Sequence, residues 1–386
     1  MSDKYRPVLF FHSVDAQNLN AQSNNTKEIL ARWNAEDLPA VAFHFRAPDP
    51  RVSGNPNVLL IKLPPNRLWK ARALVAGLGS YSAVVYPGLA APLDDRTRRV
   101  RKILRRGGAV ISTLEGVPVD ADEKELANNK LSELVGHRVY GQPIASDYMT
   151  ALEGVKSNAD LIISISPFLQ RISKHLWPKS RSINIPLGVD LEVFNKHGRI
   201  PHGTNERVRV VCAGSFSPRK RPEIFLDLAR RHPEADFTWY GDGELRAPLL
   251  EQARREALCN VFFPGPLQSA VLADAFREAD IFVLPSIAEG VPKVTQEAAA
   301  CGLPVICMNY YEPISVETGR NGFVAEDDET YFAHVAALVA DAGLRARMGA
   351  ASAEMAQEWS WATLAPRWQA TIREAVFRAQ LGCDDK

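Results

Sequence analysis

Apolar residues fall in short runs along the whole chain, and most runs are followed by a longer stretch with helix-like spacing of its apolar positions. The first half holds seven such runs: PVLFFH, VAFHF, VLLIKL, SAVVYPG, AVISTLEG, ADLIISIS and RSINIPL. Several end in Gly, Pro or a polar residue, as strands do where they hand over to a loop. Between them lie amphipathic segments such as DDRTRRVRKILRRGG, which puts Val100, Ile103 and Leu104 on one face. This alternation predicts a doubly wound α/β domain with a parallel sheet. The segment 186–207, PLGVDLEVFNKHGRIPHGTNER, breaks the pattern: it is polar, carries Gly and Pro, and has no sustained period. It reads as an interdomain linker. Six more runs follow, VRVVCAG, DFTWYGDG, NVFFPG, DIFVLPS, PVICMN and GFVAE, and predict a second domain of the same kind. Two such domains facing across a cleft would bind ligands beyond the carboxyl ends of their strands.

Length agrees with this division, since 386 residues exceed one ordinary core. Hydrophobic residues at 46% and charged residues at 24% fit a soluble globular protein. No apolar run reaches 18 residues, and MSDKYRPVLFFHS lacks a signal-peptide pattern, so a cytoplasmic location is expected. The five cysteines are odd in number and lack metal-ligand spacing, which reads as reduced thiols. Charge changes the picture more. Residues 1–190 carry 25 Lys+Arg against 18 Asp+Glu, and the remainder carries 21 against 27, so a net +1 conceals +7 and −6. A basic first half suits an anionic partner, either a phosphorylated acceptor or a membrane surface. No nucleic-acid partner is expected.

The candidate chemistry lies just after the strands. After VRVVCAG, the residues Arg219, Lys220 and Arg221 stand in a Pro-flanked loop before a helix. Three cations beside a helix N-terminus form an anion site. A solvated basic turn has the same composition. After DFTWY, the turn Gly241-Asp242-Gly243 allows close approach of backbone to whatever lies above it. After DIFVLP comes SIAEGVPKVTQEAAA, with Glu289 and Glu297 separated by seven residues. Pro292 suits the first turn of a helix. Helical rise would then put the two acids roughly 10 Å apart, too far to share a proton or a metal. The spacing fits two ends of one polar ligand, with the helix terminus and Lys293 on a negative centre between them. Either acid alone would also be ordinary at its position.

The stretch from Glu289 to Glu297, followed by Ala-Ala-Ala-Cys-Gly-Leu-Pro-Val, resembles the signature of the family 4 retaining glycosyltransferases of the GT-B fold. The resemblance covers the second half through CAGSFSPRKRPE, YGDGE, VFFPG, ADIFVLPS and ETGRNGFV, and includes NIPLGVDLEVF at the linker and EWSWATLAPRW near the end. It implies an acceptor-binding domain over 1–188, a linker over 189–206, a nucleotide-sugar-binding domain over 207–360 and a terminal helix over 361–386 that crosses back to the first domain. Glu297 would bond ribose hydroxyls and Glu289 the hydroxyls of the donor sugar. Backbone near Gly290 and Val291, with Lys293, would hold sugar and phosphates, and Gly214, Ser215, Arg219, Gly241 and Asp242 would complete the donor site. Lys220 would neutralise the diphosphate leaving group. No metal and no cofactor beyond the nucleotide-sugar substrate is implied, and the chain has no Asp-x-Asp pair.

Three departures bear on this. Ser215 stands where the family commonly has a phosphate-binding arginine, which leaves Arg219 or Arg221 to substitute. The first loop, SVDAQNLNAQSNNTKE, lacks the family's glycines, although Asn18 and Asn20 tolerate left-handed backbone. Glu115 stands where the family has a histidine near the reacting end of the sugar, and would instead accept hydrogen bonds from donor or acceptor hydroxyls. In the same region, Asp15, Asn18 and Asn24 are candidate acceptor contacts. The arginine-rich segment 94–106 would either present a lipid-linked acceptor at the cytoplasmic face of an anionic membrane or be an ordinary solvated helix face.

The resemblance therefore implies a metal-independent retaining transferase. It would move a sugar from a UDP- or GDP-sugar to a hydroxyl of a glycan or lipid-linked acceptor, in cell-surface polysaccharide or glycoconjugate synthesis. Glu289, Glu115 and Lys220 are the catalytic candidates. The alternative reading is an inactive nucleotide-sugar-binding partner in a glycan assembly complex. An epimerase or phosphorylase on the same fold is a further rival.

Overall fold

The computed structural model describes residues 6–17, 21–34, 38–66, 68–86, 92–104, 107–116, 138–139, 142–143, 158–199 and 207–381. Asn18 and Asn20 lie outside them. The chain divides into two compact units. One comprises Met1–Asp120, Ile144–Gly188 and Trp361–Lys386; the other comprises Ala121–Pro143 and Val189–Ser360.

The first unit is built on seven strands: β1 (Val8–Ser13), β2 (Ala40–His44), β3 (Val58–Lys62), β4 (Ala83–Tyr86), β5 (Ala109–Leu114), β8 (Leu161–Ser164) and β9 (Arg181–Asn184). Their order is β3-β2-β1-β4-β5-β8-β9, with every pairing parallel. The central strands are apolar on both faces, as a sheet covered by helices on each side requires; β4 and β8 are buried along their whole length. Between β5 and β8 in chain order, β6 (Arg138–Val139) and β7 (Gln142–Pro143) form a two-stranded antiparallel ladder assigned to the second unit.

Helix Trp361–Leu381 belongs to the first unit, although it is the last in the chain. It buries Trp361, Leu364, Trp368 and Ile372 and packs on helix Ala21–Ala31 and on β4 and β5. Gln369 fixes the docking. Its Oε1 accepts from the Asn34 amide at 2.9 Å, and its Nε2 donates to the Arg32 carbonyl at 2.7 Å. These bonds satisfy backbone groups just beyond the C-terminus of helix Ala21–Ala31, where no intrahelical partner exists.

Helix Pro92–Ile103 corrects one expectation. Ile103 and Leu104 are exposed, and among the described side chains of the helix Thr97 and Arg101 are the buried ones. Arg101 takes the inward place because three carbonyls need donors there. Its guanidinium donates to Gly77 O at 2.9 Å, Gly79 O at 2.8 Å and Gly107 O at 2.8 Å, and it lies over the Tyr81 ring. A planar fork of five N–H donors can serve several carbonyls at once, which an aliphatic side chain cannot do.

The second unit contains β10 (Val208–Ala213), β11 (Ala235–Tyr240), β12 (Val261–Gly265), β13 (Ile281–Leu284), β14 (Val305–Met308) and β15 (Gly322–Ala325). Their order is β12-β11-β10-β13-β14-β15, again parallel throughout. Phe216, Phe225, Phe237, Trp239 and Phe263 form one aromatic cluster on this sheet, with ring centroids from 4.9 to 6.1 Å apart. The strand order reverses between β1 and β4 in the first sheet and between β10 and β13 in the second. These switch points are where open α/β sheets bind ligands. The thirteen strand runs read from the sequence are all strands of these two sheets.

Replacing Arg101 by Ala leaves three inward carbonyls without their donor. The variant is expected to lose about 2–3 kcal/mol of stability, the scale of an unsatisfied buried polar group. Urea unfolding measures this; a loss below 0.5 kcal/mol on that scale would refute the clamp.

Candidate donor site

The site in the second unit begins with the loop after β10. Trp239 on β11 donates its Nε1–H to the Gly214 carbonyl at 3.0 Å and sets the height of the loop. Gly241 packs against the same carbonyl: a Cβ there would fall 1.9 Å from Gly214 O, and its φ is +151°. The close approach expected of the Gly-Asp-Gly turn is thus made to the neighbouring loop. Phe216 N donates to the Asp242 carbonyl at 2.9 Å, and the exposed Asp242 side chain accepts from the Gly243 amide. Ser215 is exposed, with its hydroxyl 3.3 Å from that of Ser217.

Residues Pro218–Lys220 then form one 3-10 turn, ended by Arg221 in the left-handed region at φ 54°. That conformation is costly for a non-glycine residue and persists only where surrounding contacts impose it. Here the Arg221 guanidinium is fixed to both Asp328 oxygens at 2.7 and 2.5 Å. Arg221 is therefore engaged in holding the turn to helix Asp328–Ala340, while Arg219, the other arginine expected to substitute at the phosphates, lies beside Glu289.

The turn delivers Lys220 into the interior, where it is 8% exposed. Its Nζ lies 2.5 Å from Glu289 Oε1. Arg219 Nη1 lies 2.9 Å from the same oxygen and also donates to the Ala288 carbonyl at 2.5 Å. Ser286, fully buried after β13, places its hydroxyl 2.5 Å from Glu289 Oε1 and 3.2 Å from the Arg219 carbonyl, and its one proton serves the nearer carboxylate. The Ile287 amide donates to that carbonyl at 3.1 Å. Two loops at the switch point are thus joined through one carboxylate oxygen and one carbonyl.

Burial pushes the Glu289 carboxyl up, but Lys220, Arg219 and the Ser286 hydroxyl outweigh it and hold it below the usual carboxylate value. Glu289 is ionised, and the cations beside it carry more charge than it neutralises. Gly290 and Val291 follow in a half-buried turn. Helix Lys293–Ala300 then starts after Pro292. The Thr295 hydroxyl donates to the Pro292 carbonyl at 2.7 Å and fixes the first turn. Glu297 lies one turn inside the helix and is half-buried; burial raises its pKa, with Lys293 opposing. The two carboxyls are therefore shifted in opposite directions, because the cations outweigh burial at Glu289 and do not at Glu297.

In the first unit, Glu115 follows β5. Its Oε2 accepts from Asn25 Nδ2 at 2.8 Å and its Oε1 from the Thr113 hydroxyl at 3.1 Å. Asp15 is buried, and its carboxylate accepts from the amides of Phe45 and Arg46 at 2.9 and 2.7 Å and from the Ser13 hydroxyl at 2.5 Å. That is a clamp between the ends of β1 and β2, a structural part for the residue expected as an acceptor contact. Asn24 is half-buried on helix Ala21–Ala31. Sequence reasoning missed Ser286 and Asn25. Ser286 carried a usable signal: it stands at a strand end, three residues before Glu289.

Residues 207–341 match the family model described as "Glycosyl transferases group 1". Among curated proteins, the chain is 28% identical over 259 residues to a GDP-mannose-dependent alpha-(1-6)-phosphatidylinositol monomannoside mannosyltransferase of Mycolicibacterium smegmatis, covering 60% of this chain and 66% of that one. It is 40% identical over 170 residues to a D-inositol 3-phosphate glycosyltransferase of Streptomyces scabiei, covering 40% of this chain and 38% of that one. These alignments span less than two thirds of the relatives' length. Among solved structures, Anabaena HepE in complex with UDP-glucose superposes with a TM-score of 0.71 at 16% identity, over 96% of this chain and all of that one. This likeness shows the fold, and the GT-B architecture expected from the sequence is the one observed.

The geometry fixes the sign of a titration. Glu289 contributes stability above its unfolded pKa, and that contribution is lost as pH falls through its lowered folded value. In Lys220→Met the largest opposing charge is gone and burial prevails. The Glu289 carboxyl is then expected to titrate above the usual carboxylate value, read by carbon-13 carboxyl NMR. An unmoved titration would show that Lys220 does not hold this charge.

Proposed function

We propose that the protein, whose residues 207–341 match the group 1 glycosyltransferase model, is a retaining transferase acting on a nucleoside diphosphate sugar. The observation that carries this reading is the cluster of Lys220, Arg219 and Glu289 at the switch point of the second sheet, where a buried lysine and a half-buried arginine meet one ionised acid. Ligands of such sheets bind at this point, and excess positive charge there suits a diphosphate.

In this reading Lys220 and Arg219 stabilise charge that develops on the leaving diphosphate as the glycosidic C–O bond breaks. The acceptor hydroxyl attacks from the same face, and its proton passes to the leaving phosphate oxygen. Glu289 has a double part: it holds Lys220 in place, and it faces the donor sugar. Glu297, with a raised pKa, accepts from ribose hydroxyls. Phosphate neutralisation by protein cations makes a metal unnecessary to this scheme. The donor base is uridine or guanosine; the named relatives act with GDP-mannose in one case and bind UDP-glucose in the other.

The acceptor is a hydroxyl of a glycan or of a lipid-linked glycan. One observation favours the lipid-linked class. In the first unit, Leu68, Val75, Ile103 and Leu104 are each more than half exposed. Lys70, Arg72, Arg99 and Lys102 are exposed on the same two helices, 69–77 and 92–103, which pack together. Exposed apolar side chains ringed by cations suit an anionic lipid surface. No helix among the described residues is long and apolar enough to cross a membrane.

Two measurements test the proposal. UDP or GDP and one of its sugars should raise the melting temperature, with free nucleotide released in the same wells. Glu289→Ala should cut transfer at least ten-fold, a loss of about 1.4 kcal/mol or more of transition-state stabilisation, with the fold retained. A shift without turnover, with acceptors present, would favour the inactive binding partner, and no shift with any nucleotide would refute the donor site. For the membrane contact, co-sedimentation with phosphatidylglycerol vesicles should exceed that with phosphatidylcholine vesicles and fall when Ile103 and Leu104 are replaced by Ser. Equal binding to both would refute it.

A further inference from the structure

Arg221 ends the turn Pro218–Lys220 in the left-handed region, at φ 54° and ψ 51°. Glycine reaches that region without steric cost, and arginine does not. The two residues just before it, Arg219 and Lys220, are the cations that meet Glu289. A return of Arg221 to ordinary backbone would turn the chain next to Lys220 and draw its ammonium away from the acid. The donor site thus depends on a conformation that Arg221 does not favour by itself.

That conformation is held from a distant element. Arg221 Nη1 donates to Asp328 Oδ1 at 2.7 Å and Nη2 to Oδ2 at 2.5 Å. A paired fork of this kind fixes the orientation of the guanidinium as well as its place. The Arg221 side chain is 12% exposed and that of Asp328 46%. Asp328 is fixed in turn. It opens helix Asp328–Ala340, whose cap Asp327 accepts from the Thr330 amide at 2.8 Å. Tyr331, three residues on and so beside Asp328 on the helix, is buried, and the helix packs on β14 and β15. The turn is therefore tied at two points: its middle by the Ile287 amide on the Arg219 carbonyl, and its end by Asp328.

Charge separates this use of Arg221 from that of a phosphate ligand. Its Nε lies 3.8 Å from Glu223 Oε1, so two carboxyl groups face one guanidinium. Arg219 and Lys220 share a single acid. A diphosphate gains from the second arrangement and not from the first.

We propose that Asp328 is a positioning residue of the donor site, which holds Arg221 in left-handed backbone and thereby keeps Lys220 and Arg219 on Glu289. For its effect on transfer the inference rests on the transferase reading; for the geometry of the cluster it does not.

The test is a double-mutant cycle on the full chain. Its first readout, the carbon-13 carboxyl titration of Glu289, needs no ligand. Asp328→Ala releases the turn, and the Glu289 titration should rise by about 0.5 pH or more as Lys220 withdraws and burial prevails. Arg221→Gly needs no fork, so adding Asp328→Ala to it should move the titration by no more than about 0.2 pH. Should Asp328→Ala not fold, Asp328→Asn, which keeps the shape and removes the charge, takes its place. The second readout is release of nucleotide from UDP-glucose and from GDP-mannose, with water standing in for the acceptor. On a donor that the wild-type protein turns over, Asp328→Ala should lower kcat roughly ten-fold with the donor KM within about three-fold, and adding Arg221→Gly should restore most of that loss. A lower melting temperature with an unmoved Glu289 titration would make Asp328 a stabilising residue only and overturn the proposal. A double variant as shifted, or as slow, as Asp328→Ala would overturn it too, because Arg221 would then act by more than its backbone. Wild-type protein that neither binds UDP or GDP nor turns over either donor would instead overturn the transferase reading, and the titrations would still decide the part of Asp328.

Discussion

A lysine and a glutamate placed out of water beside each other constrain the whole second unit. Neither ion would be tolerated alone in that position, since removing one partner of a buried pair costs about 3–5 kcal/mol. Everything that brings Lys220 to Glu289 is therefore under the same constraint. Trp239 and Gly241 fix the Gly214 carbonyl from beside the loop, and Arg221 accepts left-handed backbone so that the turn ends in time. Asp328 holds Arg221 from another helix, and Ser286 reaches from β13 to the acid and the turn. The ion pair is costly to assemble, and buried pairs seldom repay that cost in stability. Its form fits the proposed chemical use: a cation fixed before a ligand arrives needs no reorganisation when phosphate charge develops.

Much of this was legible in the sequence because it depends on local pattern. Parallel strands buried on both faces are continuous apolar runs, so β1, β4, β8, β13 and β14 declare themselves without any partner being known. Pro292 announces the helix start. What escaped depends on distant partners. Arg221 sits in a basic triplet and looks like an anion ligand until Asp328, 107 residues away, is seen to hold it. Asp15 looks like a loop acid until the amides of Phe45 and Arg46 close on it. Helix Pro92–Ile103 was read by its apolar stripe, but its inward face was set by carbonyls of the preceding helix that only an arginine could reach. Periodicity locates apolar faces; it is blind to backbone groups that need donors.

Bulk charge shows the same limit from the other side. The second half is acidic in sum, yet it contains the cluster of cations. The excess cations of the first half are spent elsewhere. Arg101 holds carbonyls, Arg51 is paired with Asp49 and Glu28, and Lys70, Arg72, Arg99 and Lys102 face solvent. Charges on a solvated surface act at the range of the Debye length, about 8–10 Å in ordinary salt, and influence encounter. Charges inside a pocket act at contact distance in a poorer dielectric and decide what stays bound. The two scales are independent, so the net charge of one half of the chain does not set the charge of its site. In the proposed transfer the departing diphosphate meets Lys220 and Arg219 already fixed by Glu289, Ala288 and Ser286, and no reorganisation is needed as its charge develops.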